Sequence, residues 1–240
     1  MPSWLDVAGK PAVLSTEAVS ALTLSLKVAG LAMVVALPLA LFAGYALARW
    51  RFPGKALLTV LIYLPLVLPP VVTGYMLLII FGPNGAIGRW LEQSLGLVLA
   101  FRWTGAALAA GVMAFPLLVR PIALAFAAVD QRLEDAAGTL GAKPGTVFFT
   151  LTLPLAAPGI FAGVALGFAK ALGEFGATIT FAANIPGETR TLALAVHTAL
   201  QRPDGDMLAI GLSMIALSVG ALAVGLSEFA ASRLRRKRRA

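Results

Sequence analysis

Apolar residues in this chain run in long unbroken blocks, not in the alternating or one-faced patterns of a protein that folds in water. Stretches free of Asp, Glu, Lys and Arg extend from Val28 to Ala48, Ala56 to Gly88, Pro144 to Ala169 and Met207 to Ser227, each 21 residues or longer. An α-helix rises ~1.5 Å per residue and the hydrocarbon core of a bilayer is ~30 Å thick, so about 20 apolar residues make one crossing. The pattern predicts an all-α, polytopic helical membrane protein of about five spans, near residues 15–50, 57–81, 104–129, 147–170 and 207–231, in a single domain over 1–240. Pro38 is expected to bend the first span. Pro65, Pro69 and Pro70 fall in the second, and Pro116 and Pro121 in the third. Each proline removes a helix hydrogen bond, and in lipid the freed carbonyl must be met by neighbouring helices or water, so the second helix is expected inside the bundle. Gly176 to Ala183 is apolar but only 8 residues long, which predicts a re-entrant or interfacial segment.

Composition agrees with lipid as the solvent. Of 240 residues, 59% are hydrophobic and 12% charged, half the charged share of a soluble domain, and the mean hydropathy is +0.89. With no cysteine and one histidine, His197, neither a disulfide, a thiolate site nor a histidine metal cluster can be assembled. No grouping of acid, base and nucleophile marks an intramembrane enzyme. His197 receives no functional role. Asp6, Lys10 and Glu17 precede the first apolar block where a cleaved signal would be basic, so that span is expected to be retained.

The net charge of +8 is concentrated rather than spread. Arg233, Arg235, Arg236, Lys237, Arg238 and Arg239 form a basic tail (232–240), which fits anionic lipid and not nucleic acid. With five spans, one face collects Arg49, Arg51, Lys55, Arg132, Lys143 and the tail, 11 basic groups; the other collects Lys10, Arg89, Arg102, Arg190 and Arg202, which is 5. The excess places the C-terminus in the cytoplasm and the N-terminus outside, with 171–206 as an outer, periplasmic loop. Five spans are few for an alternating-access path, and a homodimer would supply ten.

Between the third and fourth spans, residues 131–142 predict a short cytoplasmic helix. Leu133, Ala136, Ala137 and Leu140 share one face, Gly141 suits a left-handed cap, and Lys143-Pro144-Gly145 forbids continuation. Two alanines among four face positions fit a protein groove better than a lipid surface.

This stretch resembles the cytoplasmic signature of the permease subunits of binding-protein-dependent ABC importers: E-A-A, three residues, G, nine residues, an aliphatic residue, one residue, L-P. The match is Asp135-Ala136-Ala137, Gly141, Leu151, Leu153 and Pro154, with Asp135 where the family has Glu and Glu134 beside it. The resemblance implies a type I importer fold like that of the methionine importer, and Glu134, Asp135, Ala136, Ala137, Gly141, Leu151, Leu153 and Pro154 as the residues that couple to an ATPase. Leu64 to Gly74 and Gly173 to Thr178 are similar to the sulfate and molybdate branch, and Ile185 to Leu192 to molybdate permeases. The implied assembly is a homodimer in the bacterial inner membrane with two ATP-binding subunits and a periplasmic molybdate-binding protein. The sequence holds no G-x-x-x-x-G-K-S/T phosphate loop, so ATP and Mg are expected on the partner and no cofactor on this chain. The implied cargo is molybdate, with tungstate beside it. A sulfate or thiosulfate permease is the alternative within the class, and a self-contained anion channel or secondary carrier the alternative outside it.

Charges inside a bilayer cost roughly 2.5 to 3.5 kcal/mol each, so every one needs a reason. Lys170 and Glu174 stand four apart and can pair, either shaping the outer anion path or anchoring a helix end. Thr73, Thr178 and Thr180 complete the candidates along the substrate path. Arg120, before Pro121 in the inner half of the third span, can snorkel to lipid phosphate or line the pathway, and the structural role is the favoured expectation. Gly159, Gly163 and Gly167 leave one face of the fourth span bare, for a dimer seam or for packing within one subunit.

Overall fold

The computed structural model describes residues 16–237; among them every regular element is helical. The first helix, α1 (Thr16–Arg49), passes through Pro38 without a break. Where the sequence predicts one span over 57–81, the chain forms two helices, α2 (Lys55–Val67) and α3 (Pro70–Phe81), meeting at 117°. The cause is local. Pro69 and Pro70 have no N–H to continue the ladder, and Leu68, which precedes a proline, is held extended at φ −73°, ψ 143°. At ~18 to 20 Å each, neither half crosses a bilayer alone.

A short helix, α4 (Ala86–Leu95), leads to α5 (Trp103–Ala127), then α6 (Gln131–Thr139). The next rod is composite: α7 (Pro144–Val147), a π-helical segment at Phe148–Thr152, and α8 (Leu153–Leu172), 29 residues in all. Pro154 has no N–H for an α-helical bond, and Leu153 donates across the wider turn to the carbonyl of Phe148. After α8 come α9 (Gly176–Ala182), α10 (Leu192–Leu200) and α11 (Asp206–Lys237), which carries Arg233 to Lys237 of the basic tail as helix. Arg238 and Arg239, like Asp6 and Lys10, lie outside the described residues.

At the centre stands α5. In its most apolar stretch 56% of residues are buried, against 33% for α1 and 11% for α11. It packs between α1 and α8, and α11 lies on α8 and α10. Small side chains make the approach close: Ala29, Ala32, Ala36 and Ala40 of α1 share a core with Ala107, Ala110 and Ala114 of α5. The bare face of α8 is used the same way. A Cβ on Gly159 would lie 2.4 Å from the Ala125 Cβ, and one on Gly167 2.7 Å from the Leu118 Cγ. That glycine face therefore packs on α5 of its own subunit. Four helices are long and apolar enough to span a membrane, or five with the bent pair counted once.

Candidate functional site

Two constructions stand at opposite ends of the bundle. At one end, α6 is closed at both termini by its own sequence. Asp130 Oδ1 accepts from the Arg132 N–H at 3.0 Å, an N-cap. At the other terminus the Ala142 N–H reaches the Ala137 carbonyl at 3.1 Å and the Gly141 N–H that of Gly138 at 2.9 Å. With Gly141 at φ +85°, this is a complete Schellman motif. No residue of α6 is buried. Leu133 is 48% and Leu140 89% exposed, with Asp135 and Ala136 also open to the surface. The second half of the signature turns the other way: Leu151 and Leu153 pack on the core of α1, α5 and α8. One motif thus presents a surface and anchors it.

Glu134 joins the two halves. Its Oε1 accepts from Arg49 Nη2 at 3.2 Å and from the Thr152 hydroxyl at 2.6 Å. The same Arg49 nitrogen donates to the Val129 carbonyl at 2.9 Å. Glu134 on α6 therefore holds the end of α1 and the π-helical segment on one carboxylate, and Arg49 extends the contact to the turn that follows α5. Above it, Tyr45, Phe126 and Phe148 stack edge to face or tilted, with centroids 5.3 to 6.1 Å apart. Counting charges by topology hid the Arg49 role, because its partner lies 85 positions away in the chain.

At the opposite end, α9 is enclosed by protein, with Gly176, Ala177, Thr178, Phe181 and Ala182 buried against α3 and α5. The crossing of α3 and α9 has no room for side chains. A Cβ on Gly74 would come within 2.6 Å of the Ala177 carbonyl oxygen, and one on Gly176 within 2.7 Å of the Pro70 Cβ. The two stretches similar to the sulfate and molybdate branch are thus brought face to face. Lys170 Nζ pairs with Glu174 Oε2 at 2.7 Å, while Glu174 Oε1 accepts from the Ala177 N–H at 3.0 Å. Glu174, only 2% exposed, therefore fastens α9 to the end of α8. The Thr178 and Thr180 hydroxyls donate to the carbonyls of Glu174 and Gly176 on their own turn. The Thr73 hydroxyl on α3 is buried and unpaired.

The third stretch, 185–192, is a tight turn around Gly187 (φ +76°) that locks to α1. The Thr189 hydroxyl accepts from the Ile185 N–H at 2.9 Å, the Leu192 N–H donates to Ser25 Oγ at 2.6 Å, and Arg190 bonds Asn184 Oδ1 at 2.9 Å and pairs with Glu17. His197 lies against the Phe175 ring, centroids 4.7 Å apart. Among the described residues no group of three His, Cys, Asp or Glu is placed to hold a metal ion.

A helical membrane subunit with a capped surface helix braced against its spans is the class of protein that this fold defines. The chain belongs to the binding-protein-dependent transport system inner membrane component family, which matches residues 36–236. It is 52% identical over 218 residues to the molybdenum transport system permease protein ModB of Escherichia coli, covering 91% of this chain and 95% of that one. With its namesake from Haemophilus influenzae it shares 50% over 219 residues, 91% of this chain and 96% of the relative. The E. coli sulfate transport system permease protein CysT is more distant, 38% identical over 164 residues, 68% of this chain and 59% of that protein. Among solved structures, the chain superposes on a bacterial ABC transporter involved in alginate import with TM-score 0.69 at 16% identity, covering 89% of this chain and 79% of that one. On the MetNI methionine ABC transporter the TM-score is 0.58 at 16% identity, covering 91% and 92%. The fold is that of the type I ABC importer permeases.

Proposed function

We propose that this chain is the membrane-spanning subunit of an ATP-driven importer that carries molybdate, and tungstate as a similar tetrahedral dianion, from periplasm to cytoplasm. The observation that carries the reading is the identity of about half of all residues to molybdenum permeases along 91% of the chain. Sulfate transport is the second reading, supported by a lower identity over a shorter stretch. A dianion entering a negative interior works against ~4.6 kcal/mol per 100 mV, so uptake through an open channel would run backwards and coupling to ATP is needed.

In this reading the α6 end of the bundle is cytoplasmic and the α9 end periplasmic, following the basic excess. Two copies form the path. Each offers α6, with Asp135, Ala136, Ala137 and Leu140 outward, to a separate ATP-binding subunit, and Glu134 passes its movement to α1 and α8 through Arg49 and Thr152. Gly141 ends the docking helix, Leu151 and Leu153 root it, and Pro154, itself exposed, sets the wider turn beside Thr152. The crossing of α3 and α9 borders the outer part of the path, where the Thr73 hydroxyl, buried and unpaired in this conformation, would meet an oxyanion once the crossing opens, and Lys170, Glu174, Thr178 and Thr180 hold the wall. A periplasmic molybdate-binding protein would deliver at that end.

Reconstitution tests this directly. The complete complex in liposomes is expected to accumulate labelled molybdate only with ATP, and excess tungstate is expected to compete better than excess sulfate. Preferential uptake of sulfate would replace the reading with the second one, and uptake by this chain alone without ATP would replace it with a channel or carrier.

A further inference from the structure

Three basic residues lie within or at the edges of the spans away from the Arg49 cluster, and the structure treats one of them differently. Lys27 sits over the Trp103 ring, Nζ 3.7 Å from its centroid. Lys170 is paired with Glu174. Arg120 has neither ion pair nor hydrogen bond among the described residues. Nor is it enclosed: on α5, the most enclosed spanning helix, the exposed positions are Arg120, Leu124 and Ala127, and Arg120 is the one charged residue of that helix.

Its direction follows from helix geometry. Two residues on a helix are roughly 160° apart around the axis, taken the short way, so Arg120 points nearly opposite Leu118 and Ile122. Those two meet the glycine face of α8, behind which lies α11. Arg120 therefore faces away from the α8 and α11 side of the subunit. It stands seven positions before the end of α5, ~10 Å in from the α6 end and ~25 Å from the other. An unpaired cation at that depth is costly in hydrocarbon, and it is tolerable where it faces water or an anion.

We propose that Arg120, with its counterpart in the second copy, forms a transient binding site for a tetrahedral oxyanion in the cytoplasmic half of the path. This rests on the anion-import reading given above. Two guanidinium groups balance the two charges of the anion, and their planar N–H forks match paired oxygens. Access to water keeps binding weak enough for release.

The chain contains no cysteine, so single-cysteine variants need no prior engineering. The probe is an anionic, membrane-impermeant thiosulfonate, applied from the cytoplasmic side to the complete complex in inside-out vesicles without nucleotide. Labelling is read on this chain by mass. Arg120→Cys is expected to be modified, and Leu124→Cys, one turn along the same exposed face with both Arg120 groups in place, to be modified at least severalfold more slowly when molybdate is present at saturating concentration. Leu217→Cys, on an exposed apolar position of α11, is expected to stay unmodified. In uptake, Arg120→Met is expected to lose about tenfold or more, since charged hydrogen bonds are strong, and Arg120→Lys to retain a larger share. Each rate is normalised to assembled complex, so a folding defect does not count. Failure of Arg120→Cys to react, or full uptake by Arg120→Met while wild type imports molybdate, would overturn this proposal alone. Wild-type complex that imports no molybdate would overturn the functional reading beneath it.

Discussion

Arg49 and Glu134, 85 positions apart, meet at 3.2 Å at the foot of the bundle, with the Arg49 side chain 7% and that of Glu134 20% exposed. The pair is too enclosed to be an incidental surface contact, and the Thr152 hydroxyl on the same carboxylate ties in a third helix. Breaking fully buried pairs costs about 3–5 kcal/mol; partial exposure of Glu134 brings the expected cost of Arg49→Met or Glu134→Ala to about 1–3 kcal/mol. The functional effect should exceed the stability effect. In proteoliposomes each variant is expected to hydrolyse more ATP per anion imported than wild type, by about fivefold, and the double variant to be little worse than either single one. Losses that simply multiply in the double variant would mean the two residues act independently.

Gly141 offers a test that separates backbone from bulk. A Cβ there meets no atom within 4 Å, yet φ is +85°. Substitution is therefore penalised by conformation alone, roughly 1–2 kcal/mol for a residue that tolerates the left-handed region poorly. Gly141→Val should unwind the end of α6 and lower both assembly with the ATPase and uptake, whereas Gly141→Asn should keep most of each. Co-purification of the ATP-binding subunit with each variant gives the comparison. Equal behaviour of Val and Asn would remove the left-handed cap from the account.

The α3 and α9 crossing makes the opposite kind of demand. Gly74→Ala would drive a methyl to 2.6 Å from a backbone oxygen, and Gly176→Ala would drive one to 2.7 Å from a proline ring, neither of which can swing aside. Each is expected to destabilise the purified protein by about 1–3 kcal/mol. Gly220→Ala on α11, where a Cβ meets open space, should be neutral or slightly stabilising. Thermal unfolding in detergent ranks the three. A silent Gly74→Ala would show that the two short helices are not held at this distance.

The long helices were legible because their signal is local: charge-free runs of sufficient length mark α1, the α7 to α8 rod and α11, while α5 stands near the apolar stretch expected over 104–129 although Arg120 interrupts it. The 117° bend was not legible, since proline pairs such as Pro69-Pro70 predict a break without its angle, which depends on what the two halves pack against. The helices α4 and α10 lie in segments between spans, too short for their periodicity to compete with the apolar blocks. At α6, Gly141 and Lys143-Pro144-Gly145 fix the far end through their own chemistry, and so that boundary could be read directly, while the Asp130 cap at the near end emerged with the structure. The Arg49 to Glu134 contact could not be read. Charge counting assigns Arg49 to a basic collar, and only the packing of α1 against α5 brings it under the carboxylate. For the glycine face of α8 the spacing foretold close contact, while the choice of α5 as its neighbour needed three dimensions.

Lys170 and Glu174 pose the sharpest question at the α9 end, because the pair has both a structural and a transport reading. Glu174 spends one oxygen on Lys170 and the other on the Ala177 N–H, with a side chain 1% exposed, so its carboxylate is directed into the fold and not toward a passing anion. Glu174→Ala would leave an N–H and an ammonium without their acceptor and is expected to cost about 2–4 kcal/mol. Lys170→Met leaves the carboxylate one N–H partner, and since Lys170 is 29% exposed its loss is expected to cost less, about 1–2 kcal/mol. Uptake per folded complex should then stay near wild type in Lys170→Met, with the decrease confined to the amount of folded protein. Size-exclusion yield and initial uptake rate, measured on the same preparations, separate the two. If uptake were lost while the folded yield held, Lys170 would belong to the anion path itself, and the α9 wall would be a contact surface for the cargo instead of a support.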